Sequence, residues 1–349
     1  MSFVDKARRR AGLTAAVAAM GLVLSACGGV TDSADPTVDN PVAVSFVEGL
    51  DVFPYEVVTV ATEEGYFAEE GIEPTVIHTE NEMQALASNS AEFAIGGTLA
   101  VLQAVDSGID VITIFATMEG LGMNAAFSNR IVEEFGLTPE TPLDERMEAL
   151  RGQTIGLTAP LGDDEVFFRY FLSEAGLDSD EDVTFAYIGG TPDRITAMQA
   201  GEIAAYMSSI PAAELAQDRG VGQRMLTPIA EEIEALDGIP YSGVHVTREY
   251  AERNPKVVEA VGRALSKAAN FMRDNHEETI TIVGEAYPEL SPEVVRAGME
   301  SIFPAIPESG RMTQKGWDNL RAAGAAAGVV AADRDVSEGV AWTNQYLAQ

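Results

Sequence analysis

Residues 86–98, LASNSAEFAIGGT, predict the fold more sharply than any other stretch of this 349-residue chain. They indicate the end of a helix, a turn of small polar residues, a short strand at 93–95, and a new helix with Thr98 as its N-cap. Residues 198–204, MQAGEIA, repeat the same order in the second half of the chain. We therefore expect two similar α/β lobes.

The segments around these two stretches extend the same alternation of strands and helices. Predicted strands lie at 42–47, 72–77 and 111–117 in the first half, and at 153–157, 183–187 and 203–207 in the second. Regular alternation favours mostly parallel sheets with helices on both faces. After Thr247 only helices are predicted, two of them beginning at Asn254-Pro255 and Ser291-Pro292. We expect these helices to pack back on the first lobe.

The N-terminus has the pattern of an export signal. Four basic residues within positions 6–10 precede an uncharged, mostly apolar run at 11–24. This run is too short to cross about 30 Å of hydrocarbon but is typical of a signal peptide. Cys27, the sole cysteine, ends the motif LSAC and looks like the lipidated residue of a bacterial lipobox. The alternatives are a buried cysteine near an ordinary cleavage site and, for the arginine run, twin-arginine export.

The charge of the chain restricts its partners. It has 55 Asp and Glu against 22 Lys and Arg, a formal net charge of −33, so a nucleic-acid partner is excluded. One cysteine excludes a disulfide framework and a cysteine zinc site. The histidines, His78, His245 and His276, are too far apart to indicate a metal pair. We predict neither a metal nor a cofactor.

Four segments together carry a family resemblance: EGYFAEEGIEP at 64–74, ALASNSAEFAIG at 85–96, LRGQTIG at 150–156 and AMQAGEIAA at 197–205. Over residues 42–268 the chain resembles the substrate-binding proteins of ABC importers in the nitrate, sulfonate, taurine and thiamine-pyrimidine-precursor group. The resemblance implies a type II periplasmic-binding-protein fold, with two α/β lobes joined by a two-strand hinge and a helical C-terminal extension on lobe 1. It implies transport rather than catalysis.

The resemblance and the leader together give a domain plan. Residues 1–26 are the predicted signal peptide and 27–41 a flexible tether. Lobe 1 comprises 42–127 plus 245–349, and lobe 2 comprises 128–244. The expected protein is a monomer, anchored through Cys27 to the outer face of the cytoplasmic membrane, with an ABC permease and its ATPase as partners.

Ligands of such sheets lie beyond the carboxyl ends of the strands, where helix N-termini point outward. That rule selects the predicted ligand-binding residues Glu48, Phe53, Tyr55, Gly96, Gly97, Thr98, Glu119, Thr158, Thr191, Arg194, Ser208 and Tyr241. Alternatives stay open: Phe53 and Tyr55 as a packing pair, the glycines as turn residues, and Arg194 as a surface ion pair. Glu48 and Glu119 have the alternative of solvated carboxylates. Asp163 and Asp164 are interpreted as helix-dipole residues and His245 as structural, with ligand contact as the alternative for all three.

The ligand chemistry follows from the charges of these loops. Arg194 is the single cation among them, whereas Glu48, Asp51, Glu119, Asp163, Asp164 and Asp193 are acidic. We therefore favour a neutral or nitrogen-containing ring compound of the pyrimidine type, with sulfonate, taurine or nitrate as the alternative. A related enzyme or sensor module is the second alternative. Enzyme function is not expected, because the sequence has no nucleophile triad, Walker loop or metal motif.

Overall fold

The computed structural model describes residues 35–49, 52–79, 81–231 and 233–347. The predicted signal peptide and Cys27 lie outside these residues. The described residues form ten strands: β1 (Val42–Glu48), β2 (Ile72–His78), β3 (Phe93–Gly97), β4 (Val111–Glu119), β5 (Met123–Ser128), β6 (Thr154–Leu157), β7 (Thr184–Tyr187), β8 (Ala205–Ser209), β9 (Gly222–Leu226) and β10 (Pro240–Thr247).

Fourteen α-helices accompany the strands in the described part of the chain. They are α1 (Val57–Glu63), α2 (Tyr66–Glu69), α3 (Glu82–Ala87), α4 (Thr98–Asp106), α5 (Asn129–Phe135), α6 (Leu143–Glu148), α7 (Asp163–Glu174), α8 (Thr191–Gln199), α9 (Ala212–Asp218), α10 (Arg248–Arg253), α11 (Pro255–Asp274), α12 (His276–Ala286), α13 (Pro292–Ile302) and α14 (Gln314–Ala326). Short 3-10 turns lie at Phe53–Tyr55, Pro228–Ala230, Glu234–Leu236, Phe303–Ala305 and Glu308–Gly310. No helix among the described residues is long and apolar enough to cross a bilayer.

The strands form two five-stranded sheets, in the orders β2-β1-β3-β10-β4 and β7-β6-β8-β5-β9. We call the first sheet with α1–α4 and α10–α14 the first lobe, and the second sheet with α5–α9 the second lobe. The prediction of two α/β lobes is thereby confirmed. Each sheet is mixed, because β10 runs antiparallel to β3 and β4, and β5 antiparallel to β8 and β9.

The two antiparallel strands, β5 and β10, lie where the sequence placed the boundaries between the lobes. β5 and β10 are the strands that the chain enters after leaving the other sheet, through residues 120–122 and 227–239. The predicted boundaries at 127/128 and 244/245 therefore fall inside β5 and β10. β5 and β9 were not predicted as strands: β5 comes directly from the other lobe without a preceding helix, and β9 follows α9 within the second lobe.

Buried apolar side chains hold the C-terminal helices on the first lobe, as predicted. α11 buries Val257, Val261 and Leu265 at four-residue spacing, which forms one apolar stripe facing α1 and α2. Two later helices also contact the second lobe: α13 packs on α9, and α14 packs on α7. The extension therefore spans both lobes.

Candidate ligand-binding cleft

The carboxyl ends of β1 and β3 form the first-lobe border of the cleft. β1 pairs in parallel with β2 and β3, so their ends meet at one edge, and α3 begins there with Glu82. A Cβ atom at Gly49 would lie 3.0 Å from Glu82 Oε2, and one at Gly96 would lie 3.4 Å from Glu82 Oε1. The glycines therefore allow the Glu82 carboxylate to lie over the strand ends. Glu48 ends β1 and pairs with His78 at 3.4 Å.

His245 on β10 fixes the neighbouring backbone of β3. Its Nε2 lies 3.1 Å from the Gly96 carbonyl oxygen, and its Nδ1 lies 3.1 Å from Thr113 Oγ1. Because a carbonyl only accepts, Nε2 carries the proton and Nδ1 accepts from the threonine hydroxyl. Burial lowers the pKa of His245 to about 4, against the opposing effect of the Gly96 hydrogen bond. The ring is a neutral structural group, as the sequence interpretation has it.

The second-lobe border is built around Arg194, near the start of α8. Its guanidinium donates to the hydroxyls of Thr158, Ser208 (3.1 Å) and Thr191 (3.4 Å). The side chain is 3% exposed, and burial lowers its pKa despite the nearby Asp164 charge. Four predicted site residues, from the ends of β6 and β8 and the start of α8, are thus brought together.

Asp164 neutralises this arginine. Its Oδ2 lies 3.6 Å from Arg194 Nη1 and accepts the Thr158 backbone N–H at 2.5 Å, while Oδ1 accepts from the Glu165 N–H at 3.1 Å. Burial raises the pKa of Asp164, although these bonds and Arg194 act in the opposite direction. A ligand entering from the cleft therefore meets an ion pair rather than a free guanidinium.

Asp163 lies directly against the first lobe. A Cβ atom at Gly97 would be 2.7 Å from Asp163 Oδ2, so a side chain larger than that of glycine would displace this carboxylate. Burial raises the pKa of Asp163 to about 7, helped by the charges of Asp164 and Glu82. Among the described residues its carboxylate has no hydrogen-bond or ion-pair partner.

Two tyrosines complete the cleft between these carboxylates. Tyr241 of β10 shares a 2.6 Å hydrogen bond with Ser209 at the end of β8, which joins the lobes. Tyr55 is 7% exposed, and its pKa is raised first by burial and then by Tyr241, Asp163, Glu82 and Glu48. Within the described residues its hydroxyl has no hydrogen-bond partner. The Tyr55 hydroxyl is therefore available for hydrogen bonding and lies among the carboxylates of Asp163, Glu82 and Glu48.

Three predicted site residues do not join this group. Phe53 is 1% exposed and packs edge-to-face on Tyr287 with ring centroids 5.2 Å apart, which is the packing alternative. Thr98 is fully buried and donates its hydroxyl to the Pro240 carbonyl; its predicted N-cap position is occupied by Gly97. Glu119 lines a separate groove of about 680 Å³ beside Asp237, where burial raises its pKa.

Sequence reasoning did not select Glu82 or Asp163 as ligand-binding residues. Glu82 begins the helix that follows β2. The rule that ligands lie beyond the carboxyl ends of strands would have selected this loop too, had it been applied to β2. Asp163 lies in the first turn of α7, where acidic residues commonly interact with the helix dipole. Its contact with the opposite lobe could therefore not be inferred from the sequence of α7 alone. The described residues contain no group of three potential metal ligands.

Comparison with known proteins identifies the architecture. A family model described as the NMT1-like family matches residues 36–284. The aliphatic sulphonate binding protein SsuA from Escherichia coli superposes with a TM-score of 0.67 at 16% identity, covering 88% of this chain and 99% of that one. The nitrate-binding protein NrtA from Synechocystis superposes with a TM-score of 0.63 at 15% identity, covering 84% of each chain. These likenesses establish the periplasmic-binding-protein fold.

One curated protein adds a sequence match. The nitrate import ATP-binding protein NrtC from Synechocystis is 23% identical over 257 residues, which cover 71% of this chain and 37% of that protein. This chain thus spans little more than a third of that relative's length.

Proposed function

The chain belongs to the NMT1-like family, and we propose that it is a substrate-binding protein that captures a small molecule between its lobes for an ABC importer. The observation that carries this proposal is the cleft itself. Polar groups from both sheets face each other there, with Tyr55 and Glu82 on one side and Asp163 and Arg194 on the other. Such a site buries a ligand only when both lobes contact it.

The relatives support binding and import rather than catalysis. SsuA and NrtA are named as binding proteins, not enzymes. NrtC, which contains a region similar to this chain, is named as the ATP-binding part of an importer. A permease and an ATPase are accordingly the proposed partners. The proposed location is outside the cytoplasmic membrane, with Cys27 as the lipid anchor.

The ligand class is the finer part of the proposal. The pyrimidine-type preference has no support among these relatives, whose names mention sulfonate and nitrate. The sulfonate, taurine or nitrate alternative fits the comparisons at least as well. An anion of this group is therefore the second candidate ligand, and the acidic side chains of the cleft are the observation that it has to accommodate.

Lobe closure tests the proposed function. Compounds that raise the melting temperature of the purified chain should also reduce its radius of gyration in small-angle scattering, because a shared ligand draws the lobes together. Compounds without a thermal shift serve as controls. If stabilising compounds leave the radius of gyration unchanged at saturation, the transport role fails.

A further inference from the structure

Building on the proposed function, we propose that the ligand of this cleft carries a positively charged nitrogen, held between Asp163 of the second lobe and Glu82 of the first. The class includes amines, amidines and quaternary ammonium compounds. It differs from the sulfonates and nitrate named for the relatives.

The two carboxylates border the same pair of residues. A Cβ at Gly96 would be in ordinary contact with Glu82 at 3.4 Å, whereas one at Gly97 would collide with Asp163 at 2.7 Å. Neither has a basic partner in the part of the chain that the structure describes. The charge of Glu82 helps to raise the pKa of Asp163, so the two carboxylates repel each other, and a bound cation would relieve that repulsion.

The Tyr55 hydroxyl is an independent sign of a ligand at this point. It is buried to more than nine-tenths, lies near Asp163 and Glu82, and bonds to no other described group. The hydroxyl oxygen keeps access to solvent, so a ligand can reach it without breaking a protein hydrogen bond. An N–H group of a ligand held by the carboxylates could donate to this oxygen. A quaternary ammonium would instead leave the hydroxyl free to donate to a carboxylate.

The groups that would hold an anion are partly engaged by the chain itself. The two Nη atoms of Arg194 contact three hydroxyls and Asp164, whereas its buried Nε has no hydrogen-bond partner. The first turn of α7 contains Asp163, Asp164 and Glu165, and that of α8 contains Asp193. Helix N-termini favour anions, but carboxylates in these first turns oppose a second negative charge there. A sulfonate would thus approach uncompensated negative charge.

Matched probes of opposite charge test the inference on the full chain. Calorimetry compares benzamidinium, ethylammonium and tetramethylammonium with benzenesulfonate, ethanesulfonate and nitrate. We expect at least one cation to bind and no anion to do so. Asp163→Asn and Glu82→Gln should each weaken cation binding at least tenfold. Asp144→Asn, at the exposed start of α6, is the charge-matched control and should leave binding unchanged.

The outcomes separate this inference from the proposed function. Binding of an anion with lobe closure would overturn the cationic ligand and keep the transport role. Cation binding that depends on Asp163 but leaves the radius of gyration unchanged would support the cationic ligand and overturn the transport role. The inference also fails if no cationic probe binds at millimolar concentration, or if the carboxylate variants bind cations as wild type does.

Discussion

Half-buried Asp163 and fully buried His245 have shifted pKa values, and the two shifts change the stability of the fold in opposite directions with pH. The pKa of Asp163 is raised to about 7, so the folded chain binds a proton there that the unfolded chain releases near pH 4. The pKa of His245 is lowered to about 4, so the unfolded chain binds the proton first. Between about pH 4 and 7 the two effects on the unfolding free energy therefore have opposite signs.

Asp163→Asn should stabilise the ligand-free protein. Because the unfolded state binds fewer protons at this site between about pH 4 and 7, the unfolding free energy of wild type falls as pH rises through that range and levels off above it. The gain for the variant at pH 8 should be on the order of 2–4 kcal/mol, shrinking as the pH approaches 4. Asp164, Glu82, Tyr55 and Tyr241 face this group and stay unchanged. Urea titrations from pH 4 to 8 measure the gain, and equal stability of both proteins at pH 8 would contradict it.

The effect of His245 should become visible in the Asp163→Asn background. There the unfolding free energy should drop by roughly 3 kcal/mol as pH falls from about 6.5 to 4, because only the unfolded histidine takes up the proton. Adding His245→Gln keeps a neutral donor and should remove that slope. Both chains are compared by urea unfolding across the same range. Parallel pH profiles would contradict the prediction.

A site residue could be predicted from the sequence when its position depends on a single strand end or helix start. Thr158, Thr191, Arg194 and Ser208 belong to one lobe, and the structure places the three hydroxyls within hydrogen-bond distance of the guanidinium, at the strand ends and helix start where the rule put them. Phe53 and Tyr55 are only two residues apart, but the 3-10 turn sends Phe53 into the core and Tyr55 to the cleft. Asp163 depends on how the two lobes meet, which no local pattern encodes.

At the scale of elements, α13 links the lobes. Arg224 of β9 donates to Ser301 at 2.8 Å, and Ser291 donates to Asp218 of α9 at 2.9 Å. The Phe53 backbone N–H also donates to the Ile210 carbonyl across the lobes at 3.1 Å. The sequence predicted the helices of the extension from their caps. Their contacts with the second lobe could not be predicted, because they depend on the packing of both lobes.

Gly298→Ala should disturb this link. A Cβ at position 298 of α13 would lie 2.6 Å from the Phe53 ring and 3.2 Å from Pro211 of the second lobe. The crowding should lower the unfolding free energy by about 1–3 kcal/mol, and it should enlarge the ligand-free molecule in small-angle scattering.

Gly284→Ala in α12 is the matched control. Its Cβ would meet only Val295, at an ordinary 3.9 Å, so the better helix propensity of alanine should add up to about 1 kcal/mol. Denaturant unfolding compares the two variants. Equal stability changes in both would refute a steric role for Gly298.

At the scale of the whole molecule, the leader predicts a membrane anchor. Wild-type protein should fractionate with membranes, because a lipidated Cys27 buries acyl chains at about 0.8 kcal/mol for each CH₂. Cys27→Ala should leave the protein soluble or as an unprocessed precursor, since the acylated side chain is lost. Mass spectrometry of the N-terminus and membrane fractionation measure this. A mature wild-type protein that is free and carries no lipid would contradict the anchor.

The net charge makes a separate prediction about salt. The predicted cleavage before Cys27 would remove one acid and four bases, leaving 54 acids and 18 bases, a net charge of −36. Such a surface repels itself, and chloride salts screen that repulsion as the Debye length falls from about 10 Å at 0.1 M to about 3 Å at 1 M. Many ion pairs here are exposed and contribute little. Screening should therefore stabilise the fold, by on the order of 1 kcal/mol between these concentrations.

The control for this prediction changes charge without touching the cleft. Glu133, Asp144 and Glu259 are exposed, and replacing all three with lysine makes the net charge less negative by six units. This triple variant should gain less from salt, because it has less repulsion to screen. Melting temperatures of both proteins in sodium chloride measure the difference, and chloride is used because sulfate stabilises folded proteins through surface exclusion. A wild-type melting temperature that falls with chloride would mean that attractive ion pairs outweigh the repulsion.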